Sequence, residues 1–363
     1  MKKVGIIGAG VFGCSTALEL VKAGFEVTLF DRANNILEGA STINHLRHHY
    51  GFHYPRSKET VEEIKVSRES FEKEYGECVS EFFDDYYGCS LIGSKTTPED
   101  FIKFCDELKL PYEIKSPEDK FMDKKNIGVC IKTPERVYDP DILKGLLLKK
   151  LRESKVKLRL NHKIIGGEVS EQKKTLKFEV GNTVSTEEFD FLINATYSNF
   201  NSFNKWFGFP RKKLQYELME LLEVYIPNAP KIGLTIMDGA FSSLLPRGEK
   251  GTFTLGHVDA SVLRTAIGDD IDPVVMATGE IKSNRAEIMK KGIEDYPFLK
   301  EGIVVKSLHI TRVVKANVEA TDERPSEITE YGNGMYSIFG GKIITCIDIA
   351  KKVLVLIQKE LAK

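Results

Sequence analysis

Residues 1–32 read MKKVGIIGAGVFGCSTALELVKAGFEVTLFDR. Lys3–Ile7 predicts a short apolar strand and Gly8-Ala9-Gly10-Val11-Phe12-Gly13 a glycine-rich turn. Val11–Ala23 then predicts a helix, and Phe25–Phe30 a second strand that runs into Asp31. A G-x-G-x-x-G match carries meaning only in this strand–turn–helix–strand context, where it marks the site of an adenine dinucleotide.

Each residue type has a physical task. Gly8 permits the tight turn, Gly10 lets a pyrophosphate approach the backbone, and Gly13 lets the helix lie close to the strands. The first amides of the helix lack intrahelical partners and point toward a bound phosphate, which brings Val11 and Phe12 into the expected contact set. Asp31 follows Gly8 by 23 residues, near the roughly 20 expected for the acid that accepts the adenosine ribose hydroxyls. Arg32 is adjacent and joins the expected cofactor contacts, although Asp31 would repel a 2′-phosphate. The motif by itself leaves FAD and NAD open.

With 363 residues the chain exceeds the usual size of one domain, and two interwoven domains are expected. Lys and Arg total 52 against 53 Asp and Glu, so no net field points to nucleic acid. Cysteines at 14, 78, 89, 105, 130 and 346 form no C-x-x-C pair. That argues against a disulfide framework or structural zinc and fits a reducing compartment. Lys2 and Lys3 precede an apolar run, but three glycines interrupt it and no small-residue cleavage pattern follows. No apolar run approaches a membrane span. A cytoplasmic protein is expected, with peripheral membrane contact left open.

The most unusual segment is Ile43–Ser57, INHLRHHYGFHYPRS, which holds four of the seven histidines, at 45, 48, 49 and 53. Titratable and aromatic groups close behind a dinucleotide fold suit an active-site wall. Histidines 45, 49 and 53 are spaced as ligands on one helical face, but Gly51 and Pro55 interrupt a helix, so no metal is expected. Further along, Thr60–Glu77 reads as a solvated amphipathic helix, Phe82–Ile92 as a strand opening a second domain, and Thr97–Leu108 as a helix. A helix over Asp141–Arg152 precedes strands at Val156–Leu160, Ile164–Val169 and Thr175–Val180.

Phe189–Ala195 reads as a buried parallel strand returning to the first sheet and ending at Asn194-Ala195-Thr196. Strands over Leu214–Pro227, Lys231–Met237, Phe241–Pro246 and Thr252–Val258, with a turn at Glu249-Lys250-Gly251, suggest an antiparallel sheet. Asn284–Tyr296 reads as a helix and Val304–Val314 as a strand leading back. Tyr331–Phe339 reads as the last strand, and Gly340-Gly341-Lys342 then opens a helix over Ile343–Leu361. Those two glycines serve either a second ligand contact or a plain turn.

Four separated stretches resemble the D-amino-acid oxidase-like superfamily of FAD-dependent oxidoreductases, which includes glycerol-3-phosphate dehydrogenase and L-2-hydroxyglutarate oxidase. They are Gly8–Asp31; Ala40-Ser41-x-x-Asn44 followed by His49-x-Gly51-x-x-Tyr54; Asn194-Ala195 at a strand end; and Arg324-Pro325 followed by Gly340-Gly341-Lys342-x-x-Thr345. They span nearly the whole chain in the family's order. Departures are Thr196-Tyr197 after Asn194-Ala195, the bulkier and more basic second motif, and the surroundings Glu323 to Ser326 of the arginine.

The resemblance implies an α/β plus α+β fold: a Rossmann-like FAD-binding domain from residues 1–80, 136–210 and 310–363, and a discontinuous antiparallel-sheet substrate domain from 81–135 and 211–309. FAD would be held by Gly8, Gly10, Val11, Phe12, Gly13, Asp31, Arg32, Ala40, Ser41, Asn44, Ala195, Thr196, Gly340, Gly341, Lys342, Ile343 and Thr345. His49, Tyr54 and Arg324 are the expected catalytic residues, with Arg47, His53 and Arg56 binding substrate.

The expected reaction moves hydride from a C–H bond bearing an amine or hydroxyl, on a small anionic amine, amino acid or 2-hydroxy acid, to flavin N5. The electron acceptor, whether oxygen, a quinone or a carrier, is not specified by these motifs, nor is the oligomeric state. A polyol-phosphate or sugar-acid dehydrogenase is the alternative substrate branch. A non-catalytic dinucleotide-binding redox module and an NAD-dependent enzyme are the rival classes.

Overall fold

The computed structural model describes residues 1–170, 173–248, 251–316, 324 and 326–362. Pro325 and the expected turn at Glu249-Lys250 lie outside the described residues. The chain begins with strand β1 (Lys3–Ile7), helix α1 (Val11–Lys22) and strand β2 (Glu26–Phe30). β1 is central in a six-stranded sheet ordered 327–332, 335–339, 191–194, β1, β2, 157–159. All neighbours in it are parallel except the hairpin 327–332/335–339.

Period-2 alternation divides this sheet into two buried faces. Val4, Ile6, Val27, Leu29, Ile193, Tyr336 and Ile338 pack in one core with α1 and the terminal helix Cys346–Leu361. Ile7, Phe30, Leu192 and Met335 face the other way, onto Leu176, Phe178 and Phe189 of a three-stranded antiparallel sheet and Phe203 of helix Phe200–Phe207. A sheet covered on both sides accounts for the near-continuous apolar runs of its strands.

A larger sheet is ordered 262–268, 214–225, 252–257, 242–247, 232–237, 84–90, 127–133, 113–114, with 303–315 also paired to 214–225. It is antiparallel apart from one parallel contact, 84–90 against 232–237. That contact joins the early and late portions of the expected substrate domain. Strand Ile303–Lys315 pairs with Leu214–Tyr225 along its length, so a boundary at residue 310 would fall inside a strand of the larger sheet.

Several expected elements differ locally. Phe189–Ala195 is not one strand: Thr183–Phe189 and Phe191–Asn194 are separated at Asp190, whose carboxylate accepts the Lys3 amide at 2.8 Å and leads the chain from the small sheet into the large one. Tyr331–Phe339 is likewise the end of one strand and the whole of another. Gly332, Asn333 and Gly334 all have positive φ, of 77°, 48° and 70°, and turn the chain into a hairpin. The helix expected over Thr60–Glu77 runs from Lys58 to Tyr75 and is not merely a solvated face, because Val61, Ile64, Phe71 and Tyr75 are buried. Helix Phe200–Phe207 and strand Val262–Gly268 were not expected.

Candidate active site

Because β1 has β2 on one side and strand 191–194 on the other, the sheet's strand order reverses beside it. Ligands of open parallel sheets bind beyond the carboxyl ends of the strands at such a point. Ile7 is in register with Phe30 and with Asn194, and Asn194 with Ser337. Gly8, Asp31, Ala195 and Gly340, each just beyond one of these strands, therefore converge on one cleft. They line a cavity of about 1230 Å³, larger than the roughly 300–1,000 Å³ usual for small ligands.

The glycine turn is sterically enforced. A Cβ on Gly13 would stand 1.8 Å from the Gly8 carbonyl oxygen. Gly8 itself has φ +103°, and a Cβ there would meet the Ala195 carbonyl oxygen at 2.6 Å. Asp31 braces the turn by accepting the Ala9 amide at 2.7 Å and the Ala33 amide at 2.8 Å. The first α-helical bond of α1 runs from the Cys14 amide to the Gly10 carbonyl, so the amides ahead of it lie at the cleft end of the helix. One of them, on Val11, donates to the Ser41 hydroxyl at 3.1 Å.

The loop carrying Ala40, Ser41 and Asn44 is tied from below. Asn44 Nδ2 donates to the Ala40 carbonyl at 2.8 Å and to the Tyr138 hydroxyl at 2.9 Å. That hydroxyl donates in turn to the Ser41 carbonyl at 3.0 Å, and Arg247 reaches the Thr42 carbonyl at 3.1 Å. Next, Arg47–His48 pairs as a short strand with Arg136–Val137, and Gly51 has φ +113°. The segment is therefore not helical, yet His45, His49, His53 and Tyr54 all line the cavity. His48 instead packs on Phe71 and Tyr50.

Gly340-Gly341-Lys342 closes the cleft. A Cβ on Gly340 would come within 2.4 Å of the Phe12 ring, so this turn and the first glycine turn touch. Thr345 does not line the cavity. It is buried, and its hydroxyl donates to the Lys342 carbonyl at 2.8 Å while sharing a 2.6 Å bond with Ser326. Ser326 in turn accepts the Gly341 amide at 3.0 Å. Lys342 places its ammonium 3.9 Å from the Tyr54 ring centroid.

Burial, reinforced by Lys342, Arg47, His53 and His48, holds His49 well below the ordinary imidazole range. It is thus neutral near pH 7, and its surroundings disfavour the protonated form. Arg47 is buried at the cavity wall, with Nη1 donating to Tyr87 at 2.7 Å and to Glu135 at 3.1 Å, and Nη2 to Thr235 at 2.6 Å and to Ser243 at 3.2 Å. Arg324 also lines the cavity.

Arg56 departs from its expected role. Its guanidinium grips Asp238, Nε to Oδ2 at 2.6 Å and Nη2 to Oδ1 at 3.2 Å, and it is not part of the cavity lining. Gly13 is also absent from that lining, because its contribution is the close approach of α1 to the Gly8 turn.

The larger sheet supplies wall residues that the sequence reading missed. Leu218, Met219 and Leu221, with His309, Ile310, Thr311 and Arg312, line the cavity from two paired strands. Arg312 Nε donates to Glu217 at 2.7 Å. A readable signal existed: Glu217, Glu220 and Glu223 lie opposite Arg312, His309 and Lys306 in the antiparallel register. Near Asp31 the cavity is bounded by His162, Lys163 and Ile164, and Tyr197 extends the wall after Thr196.

The geometry defines a dinucleotide cleft that opens beneath a second sheet, the arrangement of a flavin-dependent oxidoreductase. The DAO family model, described as FAD dependent oxidoreductase, matches residues 3–259, and the chain belongs to this family. It is accordingly an FAD-dependent oxidoreductase. It is similar to FAD-dependent monooxygenase FPY4 of Fusarium mangiferae, with 24% identity over 371 residues covering 98% of this chain and 91% of that protein. Its fold is that of the glycine oxidase from Geobacillus kaustophilus, with a TM-score of 0.78 and 13% identity over 99% of this chain and 96% of the other. Glycerol-3-phosphate dehydrogenase from Bacillus halodurans, solved in complex with FAD, gives a TM-score of 0.67 and 14% identity over 100% of this chain and 65% of that one. Among the described residues, no helix is long and apolar enough to cross a membrane.

Proposed function

We propose that this enzyme oxidises a C–H bond bearing an amine or a hydroxyl on a small anionic substrate. The observation that carries this reading is that His49, Tyr54, Arg324 and Lys342 line the same cavity as Gly8 and Asp31. FAD would lie with its ADP half at Gly8, Gly10 and Asp31, its middle along Ala40, Ser41 and Asn44, and its ring toward Gly340–Ile343. When bound, it supplies the two-electron acceptor.

The chain's own residues then bind, orient and deprotonate. Lys342 and Arg324 attract the substrate anion, while Tyr54 fixes the Lys342 ammonium. His49, neutral in this pocket, takes the proton from a hydroxyl or ammonium as the C–H bond breaks. His53 and Arg47 complete the wall. Anaerobic bleaching of the flavin by a panel of amino acids, amines, hydroxy acids and polyols tests the substrate class. A folded His49→Ala variant that keeps wild-type flavin reduction with the best substrate would remove His49 from the chemistry.

One observation favours the polyol-phosphate or sugar-acid branch. Arg47 and Arg312 are already paired with Glu135 and Glu217, so the cavity wall is not simply cationic and presents mixed donors and acceptors suited to hydroxyl groups. Stronger bleaching by polyols or sugar acids than by amino acids would select this branch. The name of the Fusarium relative adds a further arm: turnover under labelled dioxygen separates oxygen insertion from dehydrogenation, since only insertion leaves label in the product.

A further inference from the structure

Under the histidine segment lies a group of charged side chains that the reaction just described does not use. Glu135, 1% exposed, stands between the strand 127–133 and the short strand 136–137. Its Oε2 accepts the Tyr50 amide at 2.9 Å, and its Oε1 accepts from Tyr87 at 2.6 Å and from Arg47 at 3.1 Å. The same Oε1 is 3.8 Å from Nδ1 of His49. That His49 nitrogen is buried and has no hydrogen-bond partner.

The groups facing His49 are otherwise cationic or neutral. Arg47, His48, His53 and Tyr54 come from its own segment, and Lys342 from the turn that closes the cleft. Tyr87 and Asp85 stand behind Glu135 on strand 84–90. Asp85 is held by the Thr133 hydroxyl at 2.7 Å, and burial together with Glu135 pushes its carboxyl up to about 7. Two carboxylates, Glu135 and Asp85, thus oppose Arg47. A buried imidazole among cations can take up a proton only if an anion meets the new charge.

We propose that Glu135 is the positioning residue of His49: it orients the imidazole with Nδ1–H toward its carboxylate and balances the imidazolium that forms. The inference rests on the reading that His49 takes the substrate proton. In that step the substrate O–H or N–H bond breaks and its proton goes to His49 Nε2, while a bound flavin would take the C–H electron pair as hydride. Nδ1 keeps its own proton throughout. In other folds a hydrogen-bonded carboxylate fixes the tautomer of a catalytic histidine; here the carboxylate stands 3.8 Å from the ring nitrogen, on a loop more than 80 residues away in sequence.

The test uses the full-length FAD-loaded enzyme and Glu135→Gln, with a double variant Arg47→Gln/Glu135→Gln that removes the buried pair together and guards against misfolding from an unpaired Arg47. Two readouts are taken. In 15N-histidine NMR, the wild type should show His49 as the Nδ1–H tautomer, and both variants should show a mixture of tautomers. In stopped-flow flavin reduction, both variants should lose about 10- to 100-fold in the limiting rate, no more than the lower end of the roughly 100- to 10,000-fold that a general base contributes, and substrate Kd should change less than threefold in Glu135→Gln, which leaves the cavity-lining Arg47 in place. Glu135→Asp should recover part of that rate.

An unchanged His49 tautomer together with an unchanged rate and pH profile in both variants, while His49→Ala is inactive, overturns this inference alone. A His49→Ala enzyme as fast as the wild type instead overturns the reading on which it rests.

Discussion

The Lys342 ammonium sits over the face of Tyr54, 3.9 Å from the ring centroid, and so couples the turn that closes the cleft to the histidine-rich wall. A cation held over a ring in a desolvated site gains up to about 2 kcal/mol. Tyr54→Phe, which keeps the ring, should bind the best substrate within about threefold of wild type. Tyr54→Leu should weaken binding by roughly tenfold or more, since about 1.4 kcal/mol corresponds to tenfold. Stopped-flow titration of flavin reduction against substrate concentration gives both values, and equal affinities in the two variants would dismiss the ring's role.

A methyl group at position 13 has nowhere to go, because the Gly8 carbonyl oxygen is 1.8 Å from where it would stand. Gly13→Ala should therefore displace the start of α1 and purify colourless or with under about a tenth of the wild-type flavin. The visible spectrum per mole of protein measures this directly. Gly24→Ala is an unsuitable control because Gly24 has φ +90°; Gly145→Ala, in an open position on helix Pro140–Glu153, should retain full flavin.

Tyr138 supports the loop from Ser41 to Asn44 through two bonds of one hydroxyl. Tyr138→Phe leaves a buried carbonyl and a buried amide short of a partner, at about 1–3 kcal/mol. The expected outcome is a folded protein whose FAD dissociation constant rises by roughly 5- to 100-fold, read by fluorescence titration of the apoprotein.

His45 and His48 are both brought down to about 3, by burial first and then by neighbouring arginines, Arg47 and Arg312 for His45 and Arg136 and Arg68 for His48. Glu72 faces His48 Nε2 at 3.3 Å, which alone would raise it. That carboxylate is already bound to Arg136, so burial and the arginines prevail. The folded values lie below the unfolded one near 6.5. The contribution to stability is therefore complete above about pH 6.5 and is lost as pH falls toward 3. Thermal denaturation between pH 7 and 4 should show His48→Gln losing several degrees less than wild type over that span, and an identical pH slope would show that His48 is not responsible.

Much of the cofactor half was legible because its requirements are local. Gly8, Gly10, Gly13 and Asp31 fall within one strand–turn–helix–strand unit, and apolar runs such as Phe191–Asn194 declare a strand covered on both faces. The site's remaining chemistry depends on register and on long loops. Arg56 is expected from the resemblance to bind substrate, but its guanidinium is held by Asp238, 182 positions away. Glu135 sits in a stretch with no periodicity, and only the pairing of Arg47–His48 with Arg136–Val137 brings it under His49. The Glu217–Arg312 pair was readable only to an eye that aligned two strands nearly 80 residues apart in antiparallel register.

The four corners of the cleft come from opposite ends of the sequence. Gly8 and Asp31 are made first and Ala195 midway, and Gly340 follows more than 140 residues later. Strand 84–90 must likewise wait for 232–237 before its parallel edge is covered. The Gly8 turn itself packs against Ala195, so even its surroundings are incomplete until the middle of the chain has been made. All four corners of the cleft are in place only once Gly340 has been added.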